Sequence, residues 1–107
     1  MKKLLFICSQ NKLRSPTAEF IFSESADLEV RSAGLNHDAV TPLTGEDLQW
    51  ADIIFLMEDK HKSRLLKRFS RWILDQKIVV LNIPDLYDFM DPKLIQILKT
   101  KVPRYLK

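Results

Sequence analysis

Hydrophobic residues along the chain fall into four short runs that alternate with longer amphipathic segments. The runs lie near residues 3–7, 28–32, 52–57 and 77–82 and are rich in Ile, Val, Leu and Phe. Such runs are typical of strands that are covered on both faces. Because strands and helical patterns alternate, the sequence predicts an α/β fold, a doubly wound parallel four-stranded sheet with helices on both faces.

Four helices are predicted between and after these strands. The first runs from Ser15, where Pro16 suits the first helical position and Ser15 is an alternative N-cap. Its predicted buried side consists of Ala18, Phe20, Ile21 and Phe22. The second begins near Thr44, which forms an approximate capping box with Asp47. The fourth begins at Asp91–Pro92, a capping residue followed by a first helical residue.

The third helix is amphipathic and has a basic outer face. Its basic residues fall at helical spacing, namely Lys60, Arg64, Lys67, Arg68 and Arg71. Its apolar face is predicted to contain Leu65, Leu66, Phe69, Trp72 and Ile73. A solvated surface is the favoured interpretation of the basic face, and a binding stripe for acidic partners is the alternative.

Length and composition are those of one globular domain, which we assign to residues 1–107. Seventeen Lys and Arg against 14 Asp and Glu give a net charge of +3, which suits an anionic substrate but does not by itself indicate nucleic acid. No segment approaches the roughly 20 apolar residues of a membrane span, so no membrane partner is predicted. A single cysteine allows no internal disulfide and favours a cytoplasmic location.

The most informative polar segment follows the first predicted strand. Cys8 directly follows the apolar run Leu4–Ile7, and Arg14 lies just before a predicted helix. A turn into a helix N-terminus presents backbone N–H groups and the positive end of the helix dipole to an anion. The same field favours a nucleophilic thiolate. Arg14 can bind two phosphate oxygens at once, and Ser15 can donate its hydroxyl to the sulfur.

A lone cysteine at the end of a strand is more often a small buried hydrophobic residue. Here the preceding strand, the spacing of Cys8, Arg14 and Ser15, and the following Pro16 favour a catalytic role instead. The sequence therefore predicts a phosphate-binding loop with Cys8 as its nucleophile.

Residues Cys8–Pro16 resemble the C-x5-R-S-P signature of the low-molecular-weight protein tyrosine phosphatases, in particular a compact bacterial subgroup of predicted tyrosine phosphatases. Further segments resemble the same family, namely Ser32–Gly34, Ala51–Glu58 with His61, and Val79–Asp85 with Tyr87. The resemblance extends along nearly the whole chain. It implies a hydrolase without metal or cofactor that forms a cysteinyl-phosphate intermediate.

The chain departs from the family pattern at three places. Gln10 replaces a common glycine, and Leu13 replaces a second cysteine that can protect the nucleophile as a disulfide. The segment 34–44 is short and has no clear counterpart of the aromatic residue that lines the family's substrate slot.

The resemblance implies one carboxylic acid that protonates the leaving group and later activates water. Asp85 matches the family's order of an acid followed by a tyrosine, here Tyr87, whereas Asp91 matches the family's Asp-Pro dipeptide. Asp91 also has the position of a helix N-cap, so Asp85 is the preferred acid. Tyr87 is expected either to stack on an aromatic substrate or to be a half-buried core residue.

The predicted catalytic residues are therefore Cys8, Arg14 and Asp85. The predicted substrate-binding residues are Ser9, Gln10, Asn11, Lys12, Leu13, Ser15 and Tyr87. By the resemblance, Ser32 and Asn11 are expected to support the loop from beneath. No metal site is predicted, because there is one cysteine, and His37 and His61 fit as surface or hydrogen-bonded histidines.

The favoured function is a cysteine-dependent phosphomonoester hydrolase, in the first place a protein tyrosine phosphatase. Its partners are expected to be a phosphorylated small molecule or a phosphotyrosine protein, and oxyanions such as phosphate or sulfate. Two alternatives stay open. One is an arsenate reductase, which needs an external thiol because the chain has no second cysteine. The other is a phosphate-loop binding module with weak catalysis.

Overall fold

The computed structural model describes residues 1–106 and contains a single four-stranded sheet. Its strands are β1 (Lys2–Cys8), β2 (Leu28–Gly34), β3 (Ile53–Leu56) and β4 (Lys77–Val80). All pairs are parallel and the strand order is β2-β1-β3-β4. The predicted parallel α/β sheet is confirmed.

Helices connect the strands and follow the last one. They are α1 (Arg14–Phe22), α2 (Gly45–Trp50), α3 (Asp59–Phe69) and α4 (Pro92–Lys101), with 3-10 turns at Ser70–Trp72 and Val102–Tyr105. The capping box that begins α2 is confirmed, since the Thr44 hydroxyl and the Asp47 carboxylate each accept the other residue's N–H at 3.2 Å. The cap of α4 is also confirmed, because the Asp91 carboxylate accepts the Lys93 N–H at 2.8 Å.

The predicted start of α1 at Ser15 is one residue late. The helix begins at Arg14 and its N-cap is Leu13, which makes no side-chain capping bond. Pro16 still lies in the first turn, where its missing N–H costs no helical hydrogen bond. The alternative role of Ser15 as N-cap is therefore wrong, and its hydroxyl is available to the loop.

Apolar side chains of the sheet form one core on each face. Alternate residues of β1 point to opposite faces, so Leu4 and Phe6 join a core with α1 and α4, whereas Leu5 and Ile7 join one with α2 and α3. The Phe6 ring stacks at 4.9 Å from that of Phe55. Cys8 ends β1 on the α1 and α4 side.

Two residues predicted to be buried are exposed. Phe20 is 56% exposed, because it lies about 200° around α1 from Ala18, which is buried. Leu66 is 40% exposed, since α3 turns Leu65 rather than Leu66 toward the sheet. The buried side of α1 is thus narrower than the hydrophobic pattern suggests.

The sheet places the loops after β1, β3 and β4 at one edge. These strands are parallel, so their carboxyl ends meet there, and ligands of such sheets bind at this edge. Cys8, Glu58 and Asp85 all follow or end these strands. Within residues 1–106, each helix is too short or too polar to cross a membrane.

Candidate active site

The loop from Cys8 to Arg14, the 8–14 loop, is held from behind by the segment after β2. Backbone N–H groups of this segment donate to three consecutive loop carbonyls at 2.9–3.0 Å, from Leu35 to Cys8, from Asn36 to Ser9 and from Val40 to Gln10. Because these carbonyls point backward, the opposite side of the loop presents N–H groups to an anion. The short segment 34–44 therefore supports the loop.

One residue of the loop has left-handed backbone geometry. Asn11 has φ of 56°, a region that asparagine tolerates better than most residues. Gln10, which replaces the family's glycine, is not among the positive-φ residues of the described chain. The Asn11 N–H donates to the Cys8 sulfur at 3.2 Å.

The thiol of Cys8 also contacts a hydroxyl. Its Sγ lies 2.9 Å from the Oγ of Ser15, which in turn donates to the Asn11 side-chain oxygen at 2.8 Å. A serine hydroxyl has one proton, so it donates either to Asn11 or to the sulfur. When Cys8 is a thiolate, the charge-assisted bond to sulfur is the stronger one. Ser15 can thus stabilise the anionic nucleophile and leaving group.

Arg14 is 3% exposed and its orientation is fixed by two acceptors. Its Nη1 donates to the Glu58 carboxylate at 2.5 Å and to the Ile83 carbonyl at 2.7 Å. Burial alone would raise the pKa of Glu58, but the hydrogen bond and charge of Arg14 outweigh it and hold that pKa below its usual value. The buried guanidinium therefore faces an ionised carboxylate.

His61 supports the loop from beneath. It is fully buried, and its Nδ1 accepts the Glu58 N–H at 3.2 Å, so a neutral ring carries its proton on Nε2 and donates it to the Ser9 hydroxyl at 3.1 Å. Burial, and then the positive charge of Arg14, lowers the pKa of His61 to about 4. The ring is therefore neutral at neutral pH.

A pocket of about 220 Å³ opens in front of the sulfur. Its lining residues are Cys8, Ser9, Gln10, Lys12, Leu13, Arg14 and Asp85. The Asp85 side chain is 65% exposed, and its carboxylate lies 3.8 Å from the Arg14 Nε. In the described residues, no three His, Cys, Asp or Glu side chains are grouped as a metal site. The pocket thus combines a nucleophile, a guanidinium and a carboxylic acid.

The other predicted residues lie further from the sulfur. Tyr87 is half-buried and packs against the core on the α4 side, and it is not part of the pocket lining. The Ser32 hydroxyl donates to Glu19 of α1 at 2.5 Å, so the support expected from it is not a direct hydrogen bond to the loop. Asp91 caps α4. His37 is exposed.

Glu58 and His61 belong to the site, although the sequence indicated no role in the active site for either residue. They lie three positions apart after β3, and the start of α3 is closed by the Glu58 N–H, which donates to the His61 ring, and by the His61 N–H, which donates to the Glu58 carbonyl at 3.0 Å. A polar pair directly after a buried strand, at the edge where Cys8 ends another strand, is the signal that points to them.

No known family model matches the chain, but a curated protein and several solved structures are similar to it. The chain is 31% identical to the protein-arginine-phosphatase of Bacillus subtilis (strain 168), in a match that covers 64% of each chain. It therefore spans about 64% of the length of that curated relative.

Three solved structures cover almost all of the chain. The tyrosine phosphatase Wzb from Escherichia coli K30 in complex with phosphate has a TM-score of 0.78 at 20% identity and covers 97% of this chain and 95% of its own. The low-molecular-weight protein tyrosine phosphatase SP-PTP from Streptococcus pyogenes has a TM-score of 0.79 at 21% identity, and the match covers 99% of this chain and 91% of SP-PTP. A mutant of the YwlE arginine phosphatase with a phosphorylated active-site serine has a TM-score of 0.72 at 23% identity. That match covers 98% of this chain and 96% of the mutant's chain.

The solved structures share the strand and helix arrangement of this chain, and the sequence resemblance that begins at Cys8–Pro16 agrees with them. The chain therefore has the fold of the low-molecular-weight protein tyrosine phosphatases, the family that its sequence resembles.

Proposed function

We propose that the protein is a cysteine-dependent phosphomonoester hydrolase that acts through a cysteinyl-phosphate intermediate. The observation that carries this proposal is the position of the Cys8 sulfur inside an anion-binding loop, beside a buried Arg14 whose direction Glu58 fixes. A phosphate group in the pocket meets loop N–H groups, a guanidinium and a nucleophile at once.

The first chemical step transfers the phosphoryl group to sulfur. The Cys8 thiolate attacks phosphorus, the bond to the leaving oxygen breaks, and Asp85 gives that oxygen its proton. Arg14 uses Nη1 for Glu58 and Ile83, so its Nε and Nη2 groups are the ones that bind the phosphoryl oxygens.

The second step returns the enzyme to its starting state. The ionised Asp85 takes a proton from water, the water oxygen attacks phosphorus, and the sulfur leaves as a thiolate while inorganic phosphate forms. Ser15 stabilises that thiolate by donating its hydroxyl. The arginine phosphatase mutant with a phosphorylated active-site serine supports a covalent intermediate of this kind.

A phosphotyrosine protein is the first candidate substrate, since the solved tyrosine phosphatases share the fold. Phosphoarginine protein is the second, because the curated relative is a protein-arginine-phosphatase. The site fits free oxyanions such as phosphate as product or inhibitor. We include a cytoplasmic location in the proposal, because a single unprotected catalytic thiol suits a reducing compartment.

Replacement of the nucleophile tests the proposal. Cys8→Ser is expected to abolish turnover of p-nitrophenyl phosphate while the melting temperature changes little, because a serine oxygen is a weaker nucleophile than a thiolate and a much poorer leaving group once it is phosphorylated. Peptides with phosphotyrosine and with phosphoarginine, compared by kcat/KM in the wild type, distinguish the two substrate classes. Near wild-type turnover by Cys8→Ser would contradict the covalent mechanism. Phosphate binding without any turnover by the wild type would favour the binding-module alternative.

A further inference from the structure

An exposed aromatic pair lies beside the active-site loop. Phe20 on α1 and Phe89 after β4 are 56% and 48% exposed, and their rings meet edge to face at 6.4 Å between centroids. Each ring leaves a large apolar surface in water, where a partner gains free energy by covering it.

The pair forms part of a groove that runs to the loop. A cleft of about 430 Å³ is lined by Pro16, Glu19, Phe20, Ser23, Glu24 and Phe89. The adjoining cleft of about 380 Å³ is lined by Asn11, Lys12, Pro16, Glu19, Ser32, Val40 and Phe89. Both clefts share Pro16, Glu19 and Phe89, and Lys12 also lines the catalytic pocket. We call the two clefts together the Phe20 groove.

The groove has its own charge. Glu19 and Glu24 line the cleft around Phe20, although the chain as a whole carries +3. An acidic wall beside an apolar floor is complementary to an apolar side chain next to Lys or Arg. A free phosphate group or another acidic ligand is repelled there, so the groove and the catalytic pocket select for different chemistry.

We propose that the Phe20 groove binds the polypeptide of a phosphoprotein substrate next to its phosphorylated residue, through one apolar and one basic side chain. This inference rests on the proposed phosphatase function and adds the kind of substrate sequence that it prefers. The occupant is the substrate chain because the groove is continuous with the catalytic pocket through Lys12.

The test compares two fluorescein-labelled phosphotyrosine peptides. One has Leu and Arg on both sides of the phosphotyrosine, and the other has Ser and Glu at the same positions. Their dissociation constants are measured by anisotropy with a Cys8→Ala protein, which has no nucleophile at this position, so that binding is separated from phosphoryl transfer. We expect the Leu and Arg peptide to bind about tenfold more tightly. Adding Phe20→Ser should remove most of that preference.

Two further variants complete the experiment. Leu74→Ser removes an apolar side chain that is 75% exposed and does not line the groove, and it should keep the full preference. Glu24→Lys should weaken binding of the Leu and Arg peptide, because it reverses the wall charge. All variants with an intact Cys8 should hydrolyse p-nitrophenyl phosphate like the wild type, since this substrate does not reach the groove.

The possible failures are distinguishable. If the wild type does not hydrolyse p-nitrophenyl phosphate, the proposed function is wrong. If it does, but the two peptides bind the Cys8→Ala protein with equal affinity, only the groove proposal is wrong. The same preference in Phe20→Ser as in Leu74→Ser would overturn it as well. If Phe20→Ser changes only the sedimentation coefficient, from dimer to monomer, the groove belongs to a second copy of the chain and the proposal is wrong.

Discussion

At the scale of single residues, the site depends on how firmly Arg14 is oriented. The guanidinium is buried and its Nη1 is held by Glu58 and the Ile83 carbonyl, so the remaining N–H groups reach the phosphate without a search among rotamers. A lysine ammonium is a point charge and cannot bind carboxylate, carbonyl and two phosphate oxygens in one plane.

We therefore expect Arg14→Lys to lower kcat/KM for p-nitrophenyl phosphate by on the order of 10²–10³-fold. Arg71→Lys is the matched control, because Arg71 is exposed and far from the pocket lining, and its activity should equal that of the wild type. Steady-state kinetics of both variants make the comparison. If Arg14→Lys keeps most of its activity, the arginine has a structural role only.

Two aspartates compete for the role of general acid, and their removal should give different results. Asp85→Ala should cut kcat by roughly 10²–10⁴-fold on aryl phosphates with poor leaving groups and much less on activated ones. Asp91→Ala should leave kcat nearly intact and cost about 1 kcal/mol of stability, since it removes the bond to the Lys93 N–H that caps α4. A series of leaving groups and thermal melts of both variants check this. The opposite pattern would make Asp91 the acid.

Spacing along the sequence predicts those residues of the pocket that are close together, whereas Asp85 was predicted through the family resemblance. Cys8 and Arg14 share one loop, so their spacing alone indicates a phosphate site. Glu58 contacts Arg14 although the two residues are 44 positions apart in the sequence. Spacing along the chain does not predict such a contact, because it depends on which strands become neighbours in the sheet. Tyr87 packs against the core in this structure. Stacking of its ring on an aromatic substrate therefore stays a prediction.

At the scale of elements, the first turn of α3 supports the loop after β1. Glu58 and His61 close this turn on each other, and the same two side chains hold Arg14 and Ser9. The turn is thus a connection between β3 and the loop. Capping residues were predicted correctly for α2 and α4, where the signals are local, whereas the start of α1 depends on the loop geometry and was predicted one residue late.

The buried His61 should make stability depend on pH. Its pKa is about 4 in the folded protein and about 6.5 when unfolded, so between these values only the unfolded chain binds the proton. The contribution of the neutral His61 ring to the free energy of unfolding is therefore fully present above pH 6.5 and is lost as the pH falls toward 4. The loss should reach on the order of 2–3 kcal/mol.

Melting temperatures of the wild type, His61→Asn and His37→Asn across this range measure the effect. His61→Asn should be less stable at pH 7 but should lose less stability than the wild type on acidification to pH 4, because asparagine does not titrate. His37→Asn should follow the wild type, since His37 is exposed. Parallel curves for wild type and His61→Asn would show that His61 is not the group responsible.

At the scale of the whole molecule, the parallel sheet brings distant segments to one edge and leaves one amphipathic surface uncovered. The hydrophobic pattern predicted the strands and the order of strands and helices well, because the central strands β1 and β3 are buried on both faces. It did not predict the exposed Phe20, because a pattern in one helix does not reveal how wide a face the sheet covers. The exposed Phe20, which the pattern placed in the core, lines the Phe20 groove.

The assembled anion site should couple ligand binding to global stability. Inorganic phosphate binds only the folded loop, so at ten times its dissociation constant it should raise the melting temperature by roughly 5–10 °C, compared with chloride at equal ionic strength. A chelator should not alter the shift, because loop N–H groups and Arg14 form the site. Arg14→Lys should lose most of the shift and Arg71→Lys should keep it. An equal shift in both variants would show that phosphate acts as a general salt and not through the loop.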